Sequence, residues 1–295
     1  MKNKLALLPL MLLSLVFYRC GNEKETGEET TTEESGSLNY KFKKGDVFYV
    51  DLDLLLVIAP SDTNVKKRDT VKQLTTFKYL VDRVEENGTA DLTITYEHLK
   101  TNSFDSFDTT QRMSREGMMF AGMMNYTIKT KIDKKGNVLE VSGADNFLHS
   151  GQKDSLIDDN ACLKTDLNQF FNILPANEAK LQETWSTNHV VSYGYPAKFD
   201  NKLTLSSIDG NTATINIKSV VTPNPEGLTS FPGMAATMRH NLNGDRQGTA
   251  SFDTKKGMIV SALHVDNYVG EIKIGDKMTI GIRVMMQKDY RVRWN

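Results

Sequence analysis

From Asn39 onward apolar and polar residues alternate with a period of two, as expected of strands that bury one face. In Val47–Ile58 the residues Phe48, Val50, Leu52, Leu54, Leu56 and Ile58 share one face, while Tyr49, Asp51 and Asp53 share the other with Leu55 and Val57. The run TADLTITYE sets Ala90, Leu92, Ile94 and Tyr96 against Asp91, Thr93, Thr95 and Glu97, and TATINIK repeats the scheme with Ala213, Ile215 and Ile217. Each run follows an Asn/Gly pair, Asn87-Gly88 or Gly210-Asn211, which supplies the positive φ of a hairpin turn. Near the C-terminus VGEIKI and KMTIGIRVMM flank Gly275-Asp276 as a further hairpin, with KDYRVRW continuing or following it.

The alternation is interrupted by a helical pattern. After the capping types Asp158, Asp159 and Asn160, the apolar residues Leu163, Leu167, Phe170, Phe171 and Leu174 fall at helical spacing, and Pro175 stops the run. On either side of this helix the order of signals is similar. An Asn/Gly turn precedes T-A-x-[LI]-x-I, then come a Met- and Gly-bearing segment, a strand ending in [IF]-D, and a KKG turn, as in IDKKGNVLE and FDTKKGMIV. Ala90 to Asp133 spans 43 residues and Ala213 to Asp253 spans 40. The fold class expected is mainly β: two related antiparallel units, as curved sheets or an open barrel, with a central amphipathic helix and short Met-rich helical segments. Reuse of common turn residues by unrelated hairpins is the alternative. The boundaries expected are a signal peptide at 1–19, an acidic tether at 20–37, β units at 38–148 and 178–295, and a helical connector at 149–177.

The first residues differ in kind. Lys2 and Lys4 precede an apolar run, Leu5–Phe17, interrupted by Pro9 and Ser14. Its 13 residues fall short of the roughly 20 that a spanning helix needs, so it reads as an export signal. Cys20 stands where the run ends, and GNEKETGEETTTEESGS, which follows, lacks apolar side chains and reads as a flexible arm. The arrangement resembles a bacterial lipoprotein, whose signal is cut before a cysteine that then carries acyl chains, and Glu23, Glu25, Glu28 and Glu29 look like the surface-export signal of Bacteroidetes lipoproteins. Lipidation at Cys20 would make a lipid membrane the first partner. Tyr18 and Arg19 stand where a small residue is usual, which keeps open an uncleaved N-terminal anchor or a secreted chain cut elsewhere.

Charge and composition remove several function classes. The whole chain carries a net charge of −1, and the leader contributes Lys2, Lys4 and Arg19 without an acid, so the remainder stands near −4. No nucleic-acid partner is expected of such a chain. Cys162 has no partner once Cys20 is acylated; it reads as a small buried hydrophobe whose neighbouring acids raise its pKa. The five histidines, His98, His149, His189, His240 and His264, are scattered, without metal-site or HExxH spacing. No GxSxG elbow or phosphate loop is present, so no metal, cofactor or catalytic residue is assigned. Asp105 and Asp108 read as loop acids, and Asp51 and Asp53 as a solvated strand face.

Two features suggest ligands. The segment 111–126 holds five of the 13 methionines, including Met118, Met119, Met123 and Met124, and Met234 and Met238 occupy the corresponding place later on. Methionine clusters suit either an irregular core or a surface that accommodates apolar ligands, so these six residues are candidate contacts for an acyl chain, with permanent packing on the sheet as the plainer reading. Tyr193 and Tyr195 in SYGYPAKF suit sugar stacking or simple anchoring of a loop. Finally, KFKKGDVFYV, LPANEAKLQETWS and GTASFDTKKGMI together resemble a family of Bacteroidetes lipoproteins defined only as a domain of unknown function. That resemblance implies a two-unit β body at the outer membrane and brings no catalytic residues. The expected function is a non-catalytic binding or structural lipoprotein of the cell envelope. A carrier or sensor of lipid-like apolar ligands is one alternative, and an enzyme acting on envelope glycans another.

Overall fold

One antiparallel sheet of 12 strands dominates the molecule. The computed structural model describes residues 35–36, 38–62, 68–105, 108–112, 126–144, 158–191, 195–227, 238–275 and 278–295. The strands are β2 (Val47–Pro60), β3 (Asp69–Val84), β4 (Ala90–Asp105), β5 (Asp108–Arg112), β6 (Thr127–Ile132), β7 (Val138–Ser142), β9 (Thr184–Val191), β10 (Ala197–Asp209), β11 (Thr212–Pro223), β12 (Met238–Asp253), β13 (Met258–Ile274) and β14 (Met278–Trp294). A small ladder pairs β1 (Ser35–Gly36) with β8 (Ala179–Lys180). The helix α1 (Asp159–Phe171) begins where the capping residues predict, with the Asp158 carboxylate accepting the amide of Ala161.

The sheet is two meanders joined. Its order runs β7-β6-β4-β3-β2-β14-β13-β12-β11-β10-β9, with β5 attached to β4. The join is long: β14 pairs with β2 from Ile282 opposite Pro60 to Trp294 opposite Phe48. Ala90 lies opposite Ile132 and Val84, and Ala213 opposite Phe252 and Ile208, so both occupy the same step of their series. The KKG turns connect β6 to β7 and β12 to β13. In each an aspartate nucleates the turn: Asp133 accepts from the Lys135 and Asn137 amides, and Asp253 from the Lys256 amide. Register shifts at Thr76/Phe77, Leu205/Ser207 and Ser251/Phe252 bend the strands, and bulges of this kind curve a sheet.

The curved sheet does not close on itself. Edge strands β7 and β9 are bridged by α1, which lies on the concave side. Its side chains occupy the β7 edge: Asn168 accepts the Val138 amide, Asn160 accepts the Ala144 amide, and the Lys164 ammonium donates to the Leu139 carbonyl. On the other flank the Trp185 indole of β9 donates to the Ile173 carbonyl. One end of the barrel-like body is sealed by residues 38–42. Tyr40 and Lys41 donate their amides to the carbonyls of Lys134 and Gly257, one in each KKG turn, and the Tyr40 hydroxyl donates to the Phe171 carbonyl at 2.8 Å. Leu38, Tyr40, Phe42, Phe48, Phe171 and Phe252 are all buried there. Beyond Cys162 and Leu163, the helix buries Phe170, Phe171 and the polar Gln169, an interruption of the expected apolar stripe.

Candidate functional site

The inward faces carry two apolar clusters with polar residues between them. The larger surrounds the sealed end and includes Phe48, Val50, Ile94, Leu203, Ile215 and Phe252; the smaller, Ala197, Phe199, Val221, Leu242, Tyr268, Ile282 and Val284, lies further along the same strands. On each of β9 to β14 an inward polar residue falls between the two: His189, Asn201, Ser219, Arg246, His264 with Asp266, and Lys288. The registers align them as a belt, with Asn201 opposite Ser219, Ser219 opposite Arg246, Arg246 opposite Asp266, and His264 opposite Lys288.

At the centre of the belt is a buried ion pair. Arg246 donates to both oxygens of Asp266, at 2.5 and 2.9 Å, and a third bond of 2.9 Å runs to Oε1 of Gln169 on α1. The guanidinium also lies 4.3 Å from the Phe199 ring centroid. Tyr268 donates its hydroxyl to Asp266 at 2.9 Å. Burial by itself would raise the Asp266 carboxyl pKa, but the facing Arg246 outweighs it and holds the group below the ordinary carboxylate range. Burial likewise opposes charge on Arg246, and Asp266 reverses that effect. His264 is 1% exposed, neither ring nitrogen has a hydrogen-bond partner among the described residues, and burial followed by repulsion from Arg246 lowers its pKa and favours the neutral ring. Lys288 differs from Arg246. Among the described residues its ammonium reaches only Gln169 Oε1, at 3.5 Å, and burial together with the Arg246 charge lowers its pKa.

Between the belt, the sealed end and α1 lies a chamber of about 360 Å³. Apolar residues from β2 (Val50, Leu52, Leu54) and α1 (Leu163, Leu167, Phe170) form much of its wall. The polar lining is concentrated in Gln73, Asp166, Gln169, Arg246, Asp266 and Lys288. This volume lies at the small end of the range of about 300–1,000 Å³ found for ligand pockets, whose predominantly apolar walls carry a few placed polar groups. The arrangement offers apolar contact along most of its wall and charged or amide groups along the belt.

The residues singled out in the sequence are distributed unevenly around this chamber. Tyr195 lines it, whereas Tyr193 lies outside the described residues. Cys20 and Met118, Met119, Met123, Met124 and Met234 also lie outside them, and Met238 is the first residue of β12, its backbone opposite Ile274. Asp105 and Asp108 end β4 and begin β5, paired with each other rather than standing in a loop. Asp53 is exposed as expected, but Asp51 is half-buried and accepts bonds from Thr76 and Arg293. Among the described residues no cluster of three or more His, Cys, Asp or Glu side chains could hold a metal ion. Arg246, Asp266, Gln169 and Lys288 escaped the sequence reading. Their signal was a polar residue in the inward phase of an otherwise apolar strand face, as with Lys288 between Met286 and Tyr290.

Comparison with known proteins agrees with this architecture. Residues 158–259 match the model of a family of unknown function, DUF6263. No curated protein matches the chain. Among solved structures, one of lipid–protein interactions in lipovitellin superposes with a TM-score of 0.56 at 10% identity, covering 85% of this chain and 25% of the other. The chain therefore spans about a quarter of that protein, and the likeness is one of fold. A receptor binding domain (12% identity, covering 83% of this chain and 78% of the other) and the binding domain of botulinum neurotoxin serotype C1 (8%, 82% and 78%) reach TM-scores of only 0.15 and 0.14.

Proposed function

We propose that this chain binds a lipid-like apolar ligand in the chamber beneath α1, as a carrier or sensor, and that an acylated Cys20 with the acidic arm behind it tethers the body to a membrane of the cell envelope. The observation that carries the binding reading is the chamber itself: a partly open hollow of about 360 Å³ on the inner face of the curved sheet, walled largely by apolar side chains. The fold likeness to a lipovitellin structure of lipid–protein interactions supports it. The expected cycle is binding and release without covalent change, because the named groups offer apolar contact and charge complementarity.

The test is displacement of an uncharged fluorescent naphthylamine probe by long-chain amphiphiles, alongside native mass spectrometry of gently extracted protein. Leu52 is a half-buried chamber residue, and Leu52→Trp puts an indole into the hollow. The expected result is saturable probe binding to the wild type and its loss in Leu52→Trp at unchanged circular dichroism. Absence of saturable binding in the folded wild type, or equal binding by Leu52→Trp, would remove the reading. Tethering is read separately: replacing Cys20 by Ala should release the protein from the membrane fraction, and retention there would refute that part.

A further inference from the structure

The geometry points to an anionic head on the chamber's ligand, a carboxylate or a phosphate ester, held by Lys288; this inference rests on the lipid-binding reading and specifies the chemistry of its ligand. Among the described residues two cations line the chamber, Arg246 and Lys288. Arg246 is committed, with two bonds to Asp266 and one to Gln169. Lys288 is not. Its one hydrogen bond among the described residues, 3.5 Å to Gln169 Oε1, is at the outer limit of such contacts, and the same oxygen already accepts from Arg246 at 2.9 Å. The chamber's two carboxylates, Asp166 and Asp266, favour its charge through space but make no ion pair with it. An ammonium has three donors, so Lys288 brings into an apolar hollow a charge whose donors are almost unspent.

Placement matters as much as charge. Lys288 stands on the inward face of β14 between Met286 and Tyr290, opposite Leu54 of β2, where apolar wall meets polar belt. A chain lying along Leu52, Leu54, Leu163 and Leu167 would bring its head to this boundary. Carboxylate and phosphate oxygens accept the charge-assisted bonds that Lys288 has to give. A quaternary ammonium head has no donor to give and would meet the like charge of Lys288, while the chamber's carboxylates Asp166 and Asp266 balance only the cations already there. A volume of about 360 Å³ suits one chain better than two.

The experiment uses four amphiphiles of one chain length, palmitate, hexadecyl phosphate, hexadecanol and hexadecyltrimethylammonium, competing with the uncharged probe on the wild-type chain and on Lys288→Met and Lys288→Arg. The wild type should bind one or both anions about 10- to 100-fold more tightly than the alcohol, the gain expected of one charge-assisted bond. Whichever anion is favoured identifies the head. Lys288→Met should erase the preference while leaving hexadecanol within about threefold, and Lys288→Arg should keep most of it. Equal binding of anions and alcohol by the wild type, tightest binding of the cationic amphiphile, or an anion preference that survives in Lys288→Met would overturn the inference while leaving the chamber reading intact. Failure of every amphiphile to bind the folded wild type would overturn both. The wild-type comparison needs no variant, so it decides the matter even if Lys288→Met fails to fold.

Discussion

Replacing Asp266 by Asn tests the belt most directly, because it removes a charge and little else. The carboxylate is 1% exposed and its partner Arg246 2%, so neither charge is rehydrated when the other is neutralised. Asp266 accepts two bonds from Arg246 and one from Tyr268. An amide of the same shape can accept at one oxygen, but it leaves the guanidinium without a counter-charge. Breaking a buried pair in this way costs about 3–5 kcal/mol, a large part of the roughly 5–15 kcal/mol that holds a domain together. For a body of this size that is a fall in Tm of about 6–20 °C.

The assay is urea unfolding followed by the fluorescence of Trp185 and Trp294, both packed against the larger cluster. Asp266→Asn should move the midpoint without changing the slope. The double variant Arg246→Met/Asp266→Leu removes both charges and should recover most of the loss, since an apolar replacement of a buried pair is often neutral or better. The pH dependence has a definite sign. Asp266 has a depressed folded pKa, so its contribution is complete above the unfolded carboxylate value of about 3.9 and is lost as pH falls through the lower folded value. The gap between wild type and Asp266→Asn should therefore narrow only in strong acid. A loss under about 1 kcal/mol for Asp266→Asn, or a double variant as unstable as the single one, would refute the reasoning.

Other consequences are quicker to test. Gly136 has φ +86° and a Cβ there would stand 2.1 Å from the Phe171 carbonyl oxygen, whereas Gly45, at φ +87°, has open space; Gly136→Ala should cost well over the roughly 1–2 kcal/mol of left-handed strain expected for Gly45→Ala, as read by urea midpoints. His189 and His240 are held down to about 4, chiefly by burial, so the unfolded chain takes up protons below pH 6.5 that the native state refuses; stability should fall between about pH 6.5 and 4, by on the order of 3 kcal/mol per histidine, and the Tm-against-pH curve of His189→Gln should be flatter. Asn168→Ala strips the acceptor from the Val138 amide at the β7 edge and should cost about 1–3 kcal/mol, with faster hydrogen exchange at Val138. The Cys162 thiol is pushed up to about 12, by burial first and then by Asp166, Asp159 and Asp158, so its labelling at pH 8 should follow unfolding rather than thiolate formation in the native state.

Much of the wall was legible because alternation has one period and one meaning. Phe48, Val50, Leu52, Leu54, Leu56 and Ile58 face inward as counted, and the KKG turns form hairpins at matching steps. The pairing of β14 with β2 was not legible: it joins Arg293 to Asp51, 242 positions apart, and alternation specifies a face without specifying a neighbour. The plug was hidden for another reason, because Leu38, Tyr40 and Phe42 are too few to show a period and derive their order from two distant turns. The belt was legible only in principle. Counting inward positions fails wherever a strand bulges, and the extra residue Val260, beside the Ser251/Phe252 step, separates His264 and Asp266 from the inward phase of Ile259.

The incomplete closure of the sheet and the presence of the chamber have the same geometric origin. A barrel of about eight strands is narrow enough for side chains to fill, whereas wider ones enclose space. Eleven successive strands in one curved sheet, with β5 branching from β4, leave more room than Leu, Ile and Phe side chains occupy, and α1 takes up part of it. It can do so because Asn160, Lys164 and Asn168 supply the β7 edge with the hydrogen bonds a neighbouring strand would have given, while Gln169 turns the other way to meet Arg246 and Lys288. An exposed strand edge invites pairing with another chain, so covering it and walling the chamber are joint results of one helix. What the helix does not fill is the hollow beside Leu163, Leu167 and Phe170, whose apolar wall a bound chain would cover.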